Sequence, residues 1–316
     1  MFLYYVGFTS RAIKNSEVSA VIENFAYLGS WNTFLSDLAA MAMPEHWDFD
    51  GTTNNYAVLC QYIKYTFFRL TKENKICISD DGTFAAFNTG LLTPRYEDIF
   101  ACFQSQENTA GTGWRYTGFC TQASGTLGKQ LVNKLRYLPE PAEYFKNFSE
   151  VYFDRNKLLM LDYYHILVDN ISRFPIGYLK TVMHTNGDAC EILRQIESAS
   201  DADKYDLFEE LKDIVANASD IFMRLQSDLK QAADLAAKMA ARDYRMVVPC
   251  YFPKGDKVTM MLPLYLQNRE SPDVALVVEL TDSGNYQGQT ILTMEQAYID
   301  ARLISRLEGN WVRKPL

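Results

Sequence analysis

Three histidines, no C-x-x-C pair and no long apolar run set the first limits on this chain. The six cysteines, Cys60, Cys77, Cys102, Cys120, Cys190 and Cys250, are widely spaced in apolar surroundings. That distribution argues against structural zinc or a disulfide framework, and for a reduced, cytoplasmic setting. Nowhere do about 18 apolar residues run together, so no membrane span is expected. The apolar opening, residues 1–7, has no basic start and is too short for a signal core. The phosphate-loop, dinucleotide and nucleophile-elbow patterns G-x-x-x-x-G-K-[ST], G-x-G-x-x-G and G-x-S-x-G are all missing, which removes support for those classes. No motif identifies a cofactor. His46 and His184 sit in loop-like polar surroundings without a His partner at helical spacing, so no metal site is expected.

Positive charge is also short. Lys and Arg number 31 against 39 acids, for a net charge of −8. Such a balance disfavours indiscriminate nucleic-acid binding, which needs many cations to meet phosphates. The deficit is local: residues 191–220 hold nine acids against Arg194, Lys204 and Lys212. Elsewhere the charges nearly balance, which leaves room for a basic groove, and Arg306, Arg313 and Lys314 make the tail locally positive.

What is present is a chain of 316 residues, 48% hydrophobic and 22% charged, enough for a substantial folded core. Its 20 Tyr and 19 Phe serve a core first, and base stacking second. The pattern predicts a strand at residues 2–8 and helices at 16–28, 31–43 and 55–72. A hairpin follows, with strands at 75–79 and 83–87 around the turn Asp80-Asp81-Gly82. Strands at 99–104 and 114–119 and helices at 125–138 and 157–173 come next. In residues 203–244, Leu207, Leu211, Ile214, Ala218, Ile221, Leu225, Leu229, Ala232, Ala236 and Met239 step by threes and fours. One long helix is expected there, with a nearly heptad seam that serves the protein's own core or a homo-oligomer. Strands at 245–251, 258–266, 273–280 and 287–292 precede a capping box, Thr293 to Gln296, that opens a helix through Arg306. The expected class is α+β: a mainly antiparallel sheet from N- and C-terminal strands, with a helical insert at about 187–244. An N-terminal portion, 1–54, and the remainder, 55–316, are read as one folded unit.

The chemistry concentrates in one segment. If residues 157–173 are helical, His165, Asp169 and Arg173 fall at i, i+4 and i+8 on one face, with Asp162 a turn before. A carboxylate beside an imidazole holds its tautomer and suits general acid/base work. An arginine one turn on suits a phosphate. The alternative is a salt-bridged surface face. Asn88-Thr89-Gly90 at a strand end either displays Asn88 to a ligand or needs Asn and Gly for its geometry. Asp154-Arg155-Asn156 reads as a turn.

Several segments together resemble an uncharacterised domain family of bacteria and eukaryotes. They are Ala86-Phe87-Asn88-Thr89-Gly90-Leu91, His165 to Asn170 with Arg173-Phe174-Pro175, Met261-Leu262-Pro263-Leu264, Ala275-Leu276-Val277-Val278, Tyr286 to Leu292 and Ala297 to Ile304. Members occur alone or beside cold-shock and OST-HTH (LOTUS) RNA-binding domains. The resemblance covers about residues 55–312 and implies an RNA or nucleotide association. It marks Asn88, His165, Asp169, Asn170, Arg173, Tyr286 and Arg302 as matched polar positions. Two functions follow as expectations. One is an RNA- or nucleotide-processing enzyme, with His165, Asp162, Asp169 and Arg173 catalytic and Asn88, Asn170, Tyr286 and Arg302 binding. The other is a non-catalytic RNA-binding or oligomeric assembly module built on the 203–244 helix.

Overall fold

A computed structural model describes residues 21–49, 56–106, 113–145, 147, 152–252, 255, 257–307 and 311–312. The strand expected at 2–8, the start of the 16–28 helix, most of the 108–113 loop, the 54/55 boundary, Arg313 and Lys314 lie outside these residues. The chain divides into two compact units, one drawn from residues 11–144 and the other from 145–252 with 256–316.

In the N-terminal unit, β1 (Ala26–Tyr27) leads to α1 (Trp31–Met41) and α2 (Ala57–Lys72). Four strands follow: β2 (Cys77–Ile78), β3 (Phe84–Leu92), β4 (Asp98–Ser105) and β5 (Trp114–Cys120). Helix α3 (Gly125–Lys134) closes the unit. The sheet order is β1-β5-β4-β3-β2, with β1 parallel to β5 and every other pair antiparallel. The β2–β3 turn forms as its chemistry dictates. Asp81 Oδ1 accepts from the Ser79 hydroxyl at 2.6 Å, the Thr83 hydroxyl at 2.7 Å and the Thr83 N–H at 3.1 Å, while Gly82 takes a positive φ of 65°. One sheet face packs aromatic rings: Phe67 lies 5.1 Å from Phe87, and Phe87 stacks on Phe103 at 5.7 Å. On the other face Phe84, Ala86, Phe100, Cys102 and Cys120 meet Leu131 and Leu135 in a second cluster.

In the C-terminal unit, β6 (Leu159–Leu161) runs into a π-helical turn (His165–Asp169) and a 3-10 turn (Ile171–Arg173). Helices α4 (Ile176–Met183), α5 (Gly187–Ser198), α6 (Lys204–Asn217) and α7 (Ser219–Ala240) follow. Then come β7 (Val248–Phe252), β8 (Lys257–Leu264), β9 (Val274–Leu280), β10 (Tyr286–Thr293) and α8 (Met294–Arg302). The order is β6-β10-β9-β8-β7, with β6 parallel to β10 and the rest antiparallel. Met260, Leu262 and Leu264 on β8 and Val274, Leu276 and Val278 on β9 alternate onto one face, where they join the core of the inserted helices. The expected capping box opens α8: the Gln296 N–H donates to Thr293 Oγ1, and the Thr293 N–H to Gln296 Oε1.

The α+β class and the mainly antiparallel pairing are as the pattern predicts, and the helical insert is present. Two sheets take the place of the single expected one. Only β6 joins strands across the insert, because Leu159, Met160 and Leu161 pair with Tyr286, Gln287 and Gly288. The expected 157–173 helix is therefore a strand followed by two tight turns. The 203–244 helix is two helices, broken where Ala218 turns extended at ψ 93°. Its seam is consumed within the unit: Leu211, Ile221, Leu225, Leu229, Ala232 and Ala236 are all in the core. These positions face the unit's own core, with Leu207, Ile214 and Ala218 partly buried beside them. No helix among the described residues is long and apolar enough to cross a membrane.

Candidate active site

Asp162 organises the turn that carries the site. Its carbonyl accepts from the Ile166 N–H at 3.0 Å, and its Oδ1 from the His165 N–H at 3.1 Å. Ile166, Leu167 and Val168 are buried and fasten the turn to the core. The wide π turn, a rarity that is enriched at functional sites, still sets residues i and i+4 side by side. His165 Nδ1 and Asp169 Oδ2 lie 2.8 Å apart, with the two side chains 38% and 36% exposed. Asn170 Nδ2 donates to the His165 carbonyl at 2.7 Å and so closes the turn from its C-terminal side.

With Nδ1 engaged by the carboxylate, the imidazole's other nitrogen makes no hydrogen bond among the described residues. Helix α6 packs on this turn and brings Lys212 close to Asp169. Lys212 is held by Glu209 Oε1 at 2.9 Å, and its ammonium is raised above its usual value, first by that bond and further by Asp169 and Tyr205. Tyr164, next to His165 in the chain, and Tyr205, on α6, are 56% and 45% exposed. The acidic stretch around it is partly neutralised: Glu191 pairs with Arg194, Glu197 with Lys180, Asp201 with Lys204 and Glu209 with Lys212.

Arg173 does not share this face. The change from π turn to 3-10 turn rotates it inward, where it is 8% exposed. Its Nη1 donates to Thr290 Oγ1 at 2.8 Å and to the Ile291 carbonyl at 2.6 Å, which commits it to β10. Burial lowers its guanidinium to about 10, against the pull of nearby Asp300. Burial also pushes the Asp300 carboxyl up to about 7, with Arg173 opposing the shift. The phosphate clamp expected of Arg173 is thus an internal tie between the 3-10 turn and the sheet.

The residues expected to bind, Asn88, Asn170, Tyr286 and Arg302, are buried. Asn88 is buried in the N-terminal unit, where its Oδ1 accepts from the Gly90 N–H at 2.9 Å and its Nδ2 donates to the Pro139 carbonyl at 3.4 Å. It sets an irregularity in the β3–β4 ladder, and Gly90 beside it has φ +73°. Tyr286 is buried and stacked on Phe153 at 4.7 Å; its hydroxyl accepts from the Asp154 N–H at 2.9 Å and donates to the Tyr152 carbonyl at 3.3 Å. Arg302 is buried on α8. Asp154 Oδ1 accepts from the Asn156 N–H, the turn its sequence predicts, and His184 Nδ1 lies 2.8 Å from the Thr181 carbonyl. Among the described residues, no group of three or more His, Cys, Asp or Glu is placed to hold a metal.

Lys212, Tyr205 and Asp300 escaped the sequence reading. Lys212 stood out there only as one of three cations in an acidic tract, and α6 packing is what brings it to Asp169.

Among the described residues, fold and site define an α+β protein of two five-stranded sheets, with a His–Asp pair in the C-terminal unit. A family model described as Domain of unknown function (DUF3825) matches residues 38–311, and the chain belongs to that family. The match begins within α1 and ends at Trp311, so it covers most of both units and leaves β1 outside. No curated protein and no solved structure matches the chain.

Proposed function

We propose that the protein is an acid/base enzyme acting on a nucleotide or RNA substrate through His165 and Asp169. The observation that carries this reading is the 2.8 Å Nδ1–Oδ2 pair on the π turn, with side chains 38% and 36% exposed and no hydrogen bond to the second imidazole nitrogen among the described residues. Asp169 holds the Nδ1–H tautomer and stabilises the imidazolium when Nε2 takes a proton from a water or ribose hydroxyl. Asp162 and Asn170 act as positioning residues, through the backbone of the turn.

Lys212, paired with Glu209, places an ammonium near Asp169, and Tyr164 and Tyr205 offer exposed rings for a base. The paired acids of α5 and α6 temper the negative field, which favours a nucleotide or a short single strand over a long duplex. The RNA context implied by the sequence resemblance supports the same substrate class. Turnover of a panel of nucleotides and short single-stranded RNAs tests the proposal. His165→Ala is expected to lower the rate on any accepted substrate roughly 10²–10⁴-fold. Lys212→Ala is expected to act mainly on KM. A wild-type rate in His165→Ala removes the assignment.

A further inference from the structure

Two of the six cysteines face each other. Cys102 on β4 and Cys120 on β5 have sulfur atoms 3.5 Å apart, both buried under α3 in the N-terminal unit. The strand register explains the approach. Cys102 lies opposite Gly118 and Cys120 opposite Phe100, so the two cysteines are diagonal neighbours on one face, next to a ladder shift at Cys102/Phe103. Gly118, across from Cys102, has a φ of +150° that L side chains rarely adopt, and a Cβ there would lie 3.2 Å from Leu127 Cδ2. The C-terminal cysteines differ, since Cys190 bonds the Met183 carbonyl and Cys250 contacts the Thr259 hydroxyl.

We propose that Cys102 and Cys120 form a reversible dithiol–disulfide site, oxidised by a small hydroperoxide. Closing the bond requires the sulfurs to approach by about 1.5 Å. Cys120 is the first nucleophile. The hydrogen bond from Cys102 holds its thiol below the ordinary value, whereas the same bond and burial push Cys102 well up. The Cys120 thiolate attacks one peroxide oxygen and the O–O bond breaks, leaving a sulfenic acid on Cys120 and releasing an alcohol or water. Cys102 then attacks the sulfenic sulfur, and the S–O bond breaks. The departing hydroxide leaves as water with the Cys102 proton. In sum, two thiols and one hydroperoxide give a disulfide, an alcohol and water, and the new bond ties β4 to β5 beneath α3.

The test treats the full chain with one equivalent of hydrogen peroxide, alkylates the remaining thiols and maps peptides by mass spectrometry without reduction. The expected product joins the peptides of Cys102 and Cys120, lacks two hydrogens and is restored by dithiothreitol. Cys102→Ser should give no cross-link and a sulfenic acid at Cys120 that a dimedone probe traps. Full alkylation of both residues in the oxidised wild type overturns the proposal, as does oxidation confined to Cys60, Cys77 or Cys190. A sulfenic acid on Cys102 in Cys120→Ser, with none on Cys120 in Cys102→Ser, overturns the order of attack.

Discussion

In the N-terminal unit a short strand precedes helices, a four-strand antiparallel meander follows, and a last helix packs on the sheet. The C-terminal unit repeats that order from β6 to α8, and in both sheets the first strand lies parallel to the last. The filling differs. Two helices stand between β1 and β2, and rings such as Phe67, Phe87 and Phe103 make the core there. Between β6 and β7 stand a π turn, two 3-10 turns and four helices, whose core is largely aliphatic. A meander with a parallel edge strand leaves its crossover free to grow, since the crossover only has to cover one sheet face. The longer crossover supplies both the turn that carries His165 and the helix that carries Lys212. One connectivity thus yields a packed aromatic core in one unit and a hydrogen-bonded His–Asp pair in the other.

The largest expected effects come from the two cores. Phe87→Ala should cost about 3–5 kcal/mol and Leu225→Ala about 2–5 kcal/mol. Denaturant unfolding measures each loss. Hydrogen exchange should show each loosening its own sheet most strongly, and the opposite assignment would break the comparison.

Two glycines sharpen it further. A Cβ on Gly90 would lie 2.6 Å from the Tyr62 hydroxyl, at φ +73°. A Cβ on Gly288 would meet the tip of Leu161 at 2.6 Å, with no strained φ. Gly90→Ala should therefore cost about 1–3 kcal/mol, and Tyr62→Phe should recover only part of that. Gly288→Ala should cost about 1 kcal/mol, because a leucine tip can move. Equal losses would contradict the account of the β3 irregularity.

A separate effect depends on pH and resides in the C-terminal unit. The folded protein keeps the Asp300 proton up to about 7, whereas an unfolded carboxyl releases it near its ordinary value of 3.8. Between those values unfolding releases a proton, so Asp300 makes stability fall as pH rises, by at most about 1.4 kcal/mol per pH unit. The difference in stability between wild type and Asp300→Asn should change across that window and be level outside it. A difference independent of pH would place Asp300 in solvent.

Much of this was legible in residue patterns. The Asp80–Gly82 turn, the Thr293 capping box and the meander strands form where local chemistry places them, and the His165–Asp169 pair survives although its helix is of another type. The parallel edge strands were not legible, because two or three residues carry no periodicity and their pairing partners lie far along the chain. Arg173 was misread for a related reason. Helical spacing assigns a face only while the turn type persists, and it changes at Asn170. Its apolar neighbours Ile171, Phe174 and Pro175 were the local sign of burial. The break at Ala218 had a sign too, in the cap-type residues Asn217 and Ser219 within an otherwise periodic tract.

The tautomer of His165 tests the central claim most directly. Two-bond nitrogen–proton correlation spectra at about pH 8.5, where an imidazole is neutral, distinguish Nδ1–H from Nε2–H. The account predicts an Nδ1–H imidazole in the wild type, with that preference lost in Asp169→Ala. An Nε2–H imidazole in the wild type, or an unchanged spectrum in Asp169→Ala, would contradict it.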